Sequence, residues 1–458
     1  MSSSSSTTQD GNGGNGGGSP SSSIRRGHDG GDFEGPSSSR PRRNALRNEI
    51  WPEPFVEALA AQVATDASLS IGHLAAAPAL ANVFQVCSTW RAVSRSGPLW
   101  QRLTRRIWRR NHLLRDTWQD EYMYWHRTSM NFRTRTSTHS ILQFDTSDVG
   151  NDPDSLICRC LTLSDIHLAS GFADGTVRLF SLVTRLHVST FRTNRVDLLG
   201  RFPRAVSGII LTNYRLVFAT LYGDIYVAII NGPPQTRWAH TGDVVTNGTL
   251  LDFNGCGRWW VGLFAGVPGR AFHIWDAQTE EPVFVGGTLT DPEAVMGWHM
   301  LTDLTEFVGR VRVTSREMAV ACTSLRFLAF DLRNPGLVLH EEESRRGLIV
   351  TTLDGSNEAY IIVDARGVAT VRRVGTFEEI CRFTVRGASQ RRVMGCMNLG
   401  YALMCAGGVI RVWEVEHGEL LYSFRERVGE CNSMVANDSH VAASCSDTTI
   451  HLWDFGAQ

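Results

Sequence analysis

Gly175-Thr-Val-Arg-Leu-Phe180, Gly408-Val-Ile-Arg-Val-Trp413 and Thr448-Thr-Ile-His-Leu-Trp453 share one pattern: a turn residue, alternating side chains, then a closing aromatic. Alternation at period two marks a strand whose two faces differ. Weaker copies close at Ala228, Trp275, Phe330 and Val374. Seven units therefore follow one another, with closing residues 48, 47, 55, 44, 39 and 40 positions apart. Gly286–Val313 accounts for the longest spacing, because it holds an extra segment with its own turn at Thr290–Glu293.

Repeats of about 40–45 residues with a Trp-Asp dipeptide are the signature of four-stranded WD-repeat blades. Trp275-Asp276 and Trp453-Asp454 keep the dipeptide; Trp413-Glu414 and Phe330-Asp331 are near variants. The reading is an all-β seven-bladed propeller over residues 137–458. Earlier units add a further strand after the closing residue, as in Glu419-Leu-Leu-Tyr-Ser-Phe424, but only five residues follow Trp453. Ser140-Ile-Leu-Gln-Phe144 is the expected replacement, a strand from before the first repeat that leaves no open edge.

Upstream the period changes to that of a helix. Phe55, Leu59 and Val63 lie four apart; Leu80, Val83, Phe84 and Cys87 form a second stripe; Leu99, Leu103 and Ile107, then Leu114, Trp118 and Tyr122, continue it. Pro52 and Pro54 suit a first helical turn. Six of the 13 tryptophans fall between 48 and 125. This predicts a small all-α domain (48–103) and a basic helical connector (104–136). Residues 101–139 carry nine Arg against three acids. Residues 1–44 contain twelve Ser and ten Gly, too little apolar surface to offset ordering entropy, and are expected to form a disordered tail. Its end, Arg40-Pro-Arg-Arg43, reads either as a nuclear import signal or as a solvated hinge.

The 458 residues balance 45 basic against 46 acidic side chains, which argues against a protein-wide grip on nucleic acid or an anionic membrane. No apolar run approaches the roughly 18 residues of a membrane helix, and no secretory h-region is visible. An intracellular protein is expected. The ten cysteines are scattered, apart from Cys158 and Cys160, with no zinc-type spacing; they read as reduced core residues. All 45 basic residues are arginine. Either coding bias removed lysine, or the chain excludes acceptors for ubiquitin and acetyl groups while keeping charge.

Trp51-Pro-Glu-Pro-Phe55, Val83-Phe-Gln-Val-Cys87-Ser-Thr-Trp90 and Pro98-Leu-Trp100 resemble the F-box motif, with an Ala-rich departure at Ala67–Ala79. From residue 48 onward the chain is similar to plant F-box proteins with WD-repeat propellers. The stretches that carry this are Leu74–Arg95, Gly171–Phe180, Cys256–Asp276, Gly286–His299, Gln390–Cys396, Gly407–Glu419 and Ile450–Gly456. The resemblance implies a nuclear adaptor of an SCF-type ubiquitin ligase that controls organ size and flower development. Its partners would be a Skp-type adaptor, a cullin, PEAPOD-type growth repressors and KIX-type proteins. Family members are also called transcriptional regulators, so a scaffold without ligase activity is the alternative.

No catalytic constellation, cofactor motif or metal spacing stands out. Gly262–Gly269 lacks a P-loop Lys and reads as a blade turn. A non-catalytic binding subunit is expected, with no membrane and no direct nucleic-acid contact. The candidate Skp-binding residues are Trp51, Pro52, Phe55, Val83, Val86, Cys87 and Trp90; Phe55, Val83 and Cys87, on the apolar stripes, read equally as bundle core, and Trp90 and Pro52 are the better interface candidates. The candidate target-binding ring takes the position two before each closing residue: Arg178, Tyr226, His273, Leu328, Arg372, Arg411 and His451. The resemblance to other F-box propellers implies that arginine there reaches a peptide, often an acidic or phosphorylated one; the alternative is that it braces neighbouring blades.

Overall fold

Seven four-stranded antiparallel sheets follow one another in the computed structural model, one per predicted unit. The structure describes residues 51–144, 156–193, 203–287, 309–323, 326–335, 337–343, 350–364, 366–386 and 393–456. The predicted tail, the basic cluster at 40–43 and the turn at 290–293 lie outside the described residues. So do parts of the 286–299 and 390–396 resemblances.

The inner strands are Cys158–Leu163, Val206–Leu211, Thr249–Gly255, Gly309–Val313, Val350–Gly355, Val393–Met397 and Cys431–Ala436, for blades one to seven. Each begins a sheet whose order follows the sequence outward, except in the last blade. There Thr138–Leu142 pairs antiparallel with Ile450–Asp454 and supplies the outer strand, with Leu142 opposite Ile450. The closure is the expected one, two residues earlier in the chain than Ser140–Phe144. Neighbouring blades approach closely: any side chain at Gly208, on the second inner strand, would meet the backbone of Phe253 on the third.

The closing aromatics Phe180, Trp275, Phe330, Trp413 and Trp453 are all at most 4 % exposed. Blade five departs from its predicted register. In the other six blades the closing residue faces the second residue of the preceding strand, as Trp275 faces Trp260. In blade five that place, opposite Tyr360, belongs to Arg372, and Val374 lies beyond the strand. The degenerate Val368-Ala-Thr-Val-Arg-Arg373 carries no aromatic to mark its end.

Among the described residues five α-helices precede the propeller: α1 (Glu53–Ser70), α2 (Ala76–Phe84), α3 (Ser88–Ala92), α4 (Gly97–Ile107) and α5 (Trp118–Thr134). The buried face of α1 is Val56, Ala60, Ala61, Ala64 and Ser68, not the predicted Phe55–Leu59–Val63 stripe, which is exposed or half-buried. Small alanines let α2 and α4 pack close against α1, so its larger side chains stand at the margin. Within the Ala-rich stretch α1 runs to Ser70, and a single 3₁₀ turn leads into α2. Leu99, Leu103 and Ile107 are buried as predicted, whereas Leu114 precedes α5 and is exposed.

The predicted connector is no separate spacer. α4 crosses the 103/104 boundary, and α5 contributes Tyr122 and Trp125 to the helical core. At its far end Phe132 enters the core of blades six and seven, stacked on Tyr401 and Phe455 with ring centroids 5.3 and 3.7 Å away. Tyr401 and Tyr422 donate their hydroxyls to the carbonyls of Ser129 and Phe132. Arg110 stacks on Trp125 and reaches Asp165 in blade one and Asp438 in blade seven. One helix thus serves two cores. Among the described residues no helix is long and apolar enough to cross a membrane.

Candidate docking surfaces

Large apolar side chains that a core leaves exposed are the informative ones. Pro52 caps the start of α1, its carbonyl accepting from the amides of Phe55 and Val56. That start holds Trp51 and Phe55 on the surface, stacked at 4.8 Å and 50 % and 46 % exposed. Val86 and Cys87 lie in the turn between α2 and α3; Val86 is 61 % exposed and Cys87 is also exposed. α2 ends at Phe84, so the predicted stripe stops short of Cys87. Val83 is 8 % exposed and belongs to the bundle core; Trp90 is half-buried against it. The seven candidates therefore separate into four exposed side chains, Pro52 as a helix start, and two residues that hold the bundle together.

The proposed target-binding ring does not present itself as a surface. Arg178, Tyr226, His273 and His451 are 2 %, 0 %, 3 % and 7 % exposed. Arg178 lies over Phe144 and Phe172, donates to the Thr176 hydroxyl and faces Asp174. It braces its own blade. His451 meets His139 of the closing strand, ring nitrogens 3.0 Å apart. Only Leu328, Arg372 and Arg411 remain partly open. Arg372 pairs with Glu342 of the neighbouring blade, and Arg411 donates to the Arg386 carbonyl. Four of the seven positions are buried because the third strand of a blade lies between two others and packs against adjacent blades.

His273 stacks on Phe264 at 4.1 Å. Burial, then the neighbouring Arg270 and His240, push its pKa down to about 4. An unfolded histidine titrates near pH 6.5, so between these values only the unfolded chain takes the proton. The stabilising contribution is present above pH 6.5 and is lost as pH falls. A loss of about 2 kcal/mol between pH 7 and pH 5 is expected from this group. Urea unfolding across that range should show it, and His273→Phe should flatten the profile; an unchanged slope would assign the acid sensitivity elsewhere.

The inner strands line a polar cavity of about 320 Å³ on the propeller axis. Asp252 of blade three, 4 % exposed at its side chain, accepts from the Val311 amide at 2.9 Å and from Arg312 at 3.0 Å. Arg312 also donates to Asp354 of blade five at 2.8 Å, and Asp354 accepts from the Met397 amide of blade six. Desolvation opposes the Arg312 charge, but the two carboxylates outweigh it and its pKa is raised. These charges staple four consecutive inner strands. The sequence reading missed them, although the alternation of Arg310-Val-Arg312 puts two arginines on one strand face.

Together these features define a helical unit with exposed apolar side chains, fixed to a closed seven-bladed propeller. No family profile matches the chain. It is 63 % identical over 444 residues to the transcriptional regulator STERILE APETALA of Arabidopsis thaliana, covering 96 % of this chain and 99 % of the relative. The chain belongs to the STERILE APETALA family. Among solved structures, it is similar to BamB from Moraxella catarrhalis, at 15 % identity and a TM-score of 0.44, over 65 % of this chain and 85 % of that one.

Proposed function

We propose that this chain is the substrate-recognition subunit of an SCF-type ubiquitin ligase in the plant nucleus. The helical unit docks on a Skp-type adaptor, and through it on a cullin. The propeller carries the target, of the PEAPOD type with KIX-type partners. The chain itself does no bond chemistry. The observation that supports this best is the Trp51–Phe55 stack: two large rings held in water at a helix start, where the bundle core does not use them. Tryptophan anchors of this kind dominate interfaces. The junction at Phe132 and Arg110 supports the reading too, because an adaptor that fixes the distance between target and ubiquitin carrier raises their effective concentration. A transcriptional scaffold is the second reading, favoured by the name of the Arabidopsis relative.

The two separate on co-purification with a Skp-type adaptor and cullin. Trp51→Ala with Phe55→Ala should weaken adaptor binding by about 2 kcal/mol, roughly 30-fold, with the propeller melting unchanged. Consistent purification of the wild-type chain without either partner would reject the ligase reading and leave the scaffold.

A further inference from the structure

Between Asp66 and Asp116 the chain has eight arginines and no carboxylate. Half of these arginines are already engaged. Arg105 lies over Trp118 and Arg115 over Tyr124. Arg109 meets Glu358 at 3.3 Å, and Arg110 bridges Asp165 and Asp438. The other four, Arg91, Arg95, Arg102 and Arg106, are exposed, and their guanidinium groups make no ion pair, hydrogen bond or ring contact among the described residues. The fold does not require them. α4 buries Leu99, Trp100, Leu103 and Ile107. Arg102 and Arg106 stand one turn apart on its exposed side, where like charges oppose the helix.

We infer that these four arginines bind a carboxylate-rich protein surface on the partner that docks at the helical unit. The inference rests on the adaptor reading for the identity of that partner. The chemistry comes from the chain itself: where the same run of arginines reaches the propeller, it takes carboxylates, at Glu358, Asp165 and Asp438. Position supports a protein partner. Arg91 sits on α3, four residues after Cys87, so the basic surface begins where the exposed Val86–Cys87 site ends. Apolar contacts bordered by charge are the anatomy of a protein interface. A chain with net charge −1 lacks the general field that nucleic-acid binding uses. Charges at such a border act mainly on the rate of encounter, and salt screens them.

The test follows association of the full-length chain with a purified Skp-type adaptor at about 0.05 M and about 1 M salt. Charge reversal (Arg91→Glu, Arg95→Glu, Arg102→Glu, Arg106→Glu) should slow association about tenfold or more at low salt and leave it unchanged at high salt. The corresponding Arg→Gln set should fall between, which covers a reversal that perturbs folding. Trp51→Ala with Phe55→Ala should instead speed dissociation at both salts. Equal association of wild type and reversed chain at low salt overturns the inference and leaves the adaptor reading intact. No adaptor binding by the wild type overturns both. Random-sequence duplex DNA bound by the wild type and lost by the reversed chain, with adaptor kinetics unchanged, gives the surface to nucleic acid and overturns it as well.

Discussion

Asp252→Ala should lower propeller stability by about 3–5 kcal/mol, the cost of removing one partner from a buried ion pair. The substitution strands more than a charge. Arg312 keeps Asp354 alone, Arg310 loses the carboxylate 3.7 Å away, and the Val311 amide loses its acceptor. An unpaired buried donor is costly in its own right. Asp252→Asn separates the contributions, because an amide oxygen still accepts from Val311 while the charge is gone; it should cost less. Thermal melting reads the total, and hydrogen exchange at Val311 reads the local part. An Asp252→Ala chain that melts with the wild type would show that the axial network is a passive lining.

How legible was this in the sequence? The blades were, because each unit repeats a turn, an alternating strand and an aromatic, and register errors in one unit are corrected by its neighbours. Where the aromatic is missing, as in blade five, the reading slipped by two residues and put Arg372 in the wrong slot. The helical stripe failed for a different reason. Apolar periodicity ranks Phe and Leu above Ala, yet close helix packing favours Ala60, Ala61 and Ala64 and leaves Phe55 outside. That failure singled out the candidate docking residues, since a core leaves those large side chains on the surface. The ring of third-strand residues was unreadable from one chain position at a time. Alternation says which residues share a face but not that another blade covers it. Arginine in place of lysine is partly used by the fold: Arg237 meets Glu280 with two parallel donors, and Arg110 stacks on an indole, geometries lysine does not offer.

Leu142→Asp should open the propeller. Leu142 is 2 % exposed on the closing strand and packs with Phe172, Phe180, Ile450 and Leu452, so it joins blade seven to blade one. Truncation to alanine alone would cost about 2–5 kcal/mol; a carboxylate placed in that apolar cluster adds its own desolvation cost. Thr138–Leu142 is five residues long and, among the described strands, is the one that joins its blade from the other end of the array. Once it detaches, Ile450–Asp454 becomes an unpaired edge, and such edges pair with other chains. The expected result is a lower melting temperature together with concentration-dependent self-association. Ile141, the preceding residue on the same strand, is 50 % exposed, and Ile141→Asp should stay within about 0.5 kcal/mol of wild type. If both aspartates were tolerated alike, the ring would be held shut by packing between blades rather than by this strand; loss from Leu142→Asp alone shows that a short segment preceding the first repeat keeps all seven blades closed.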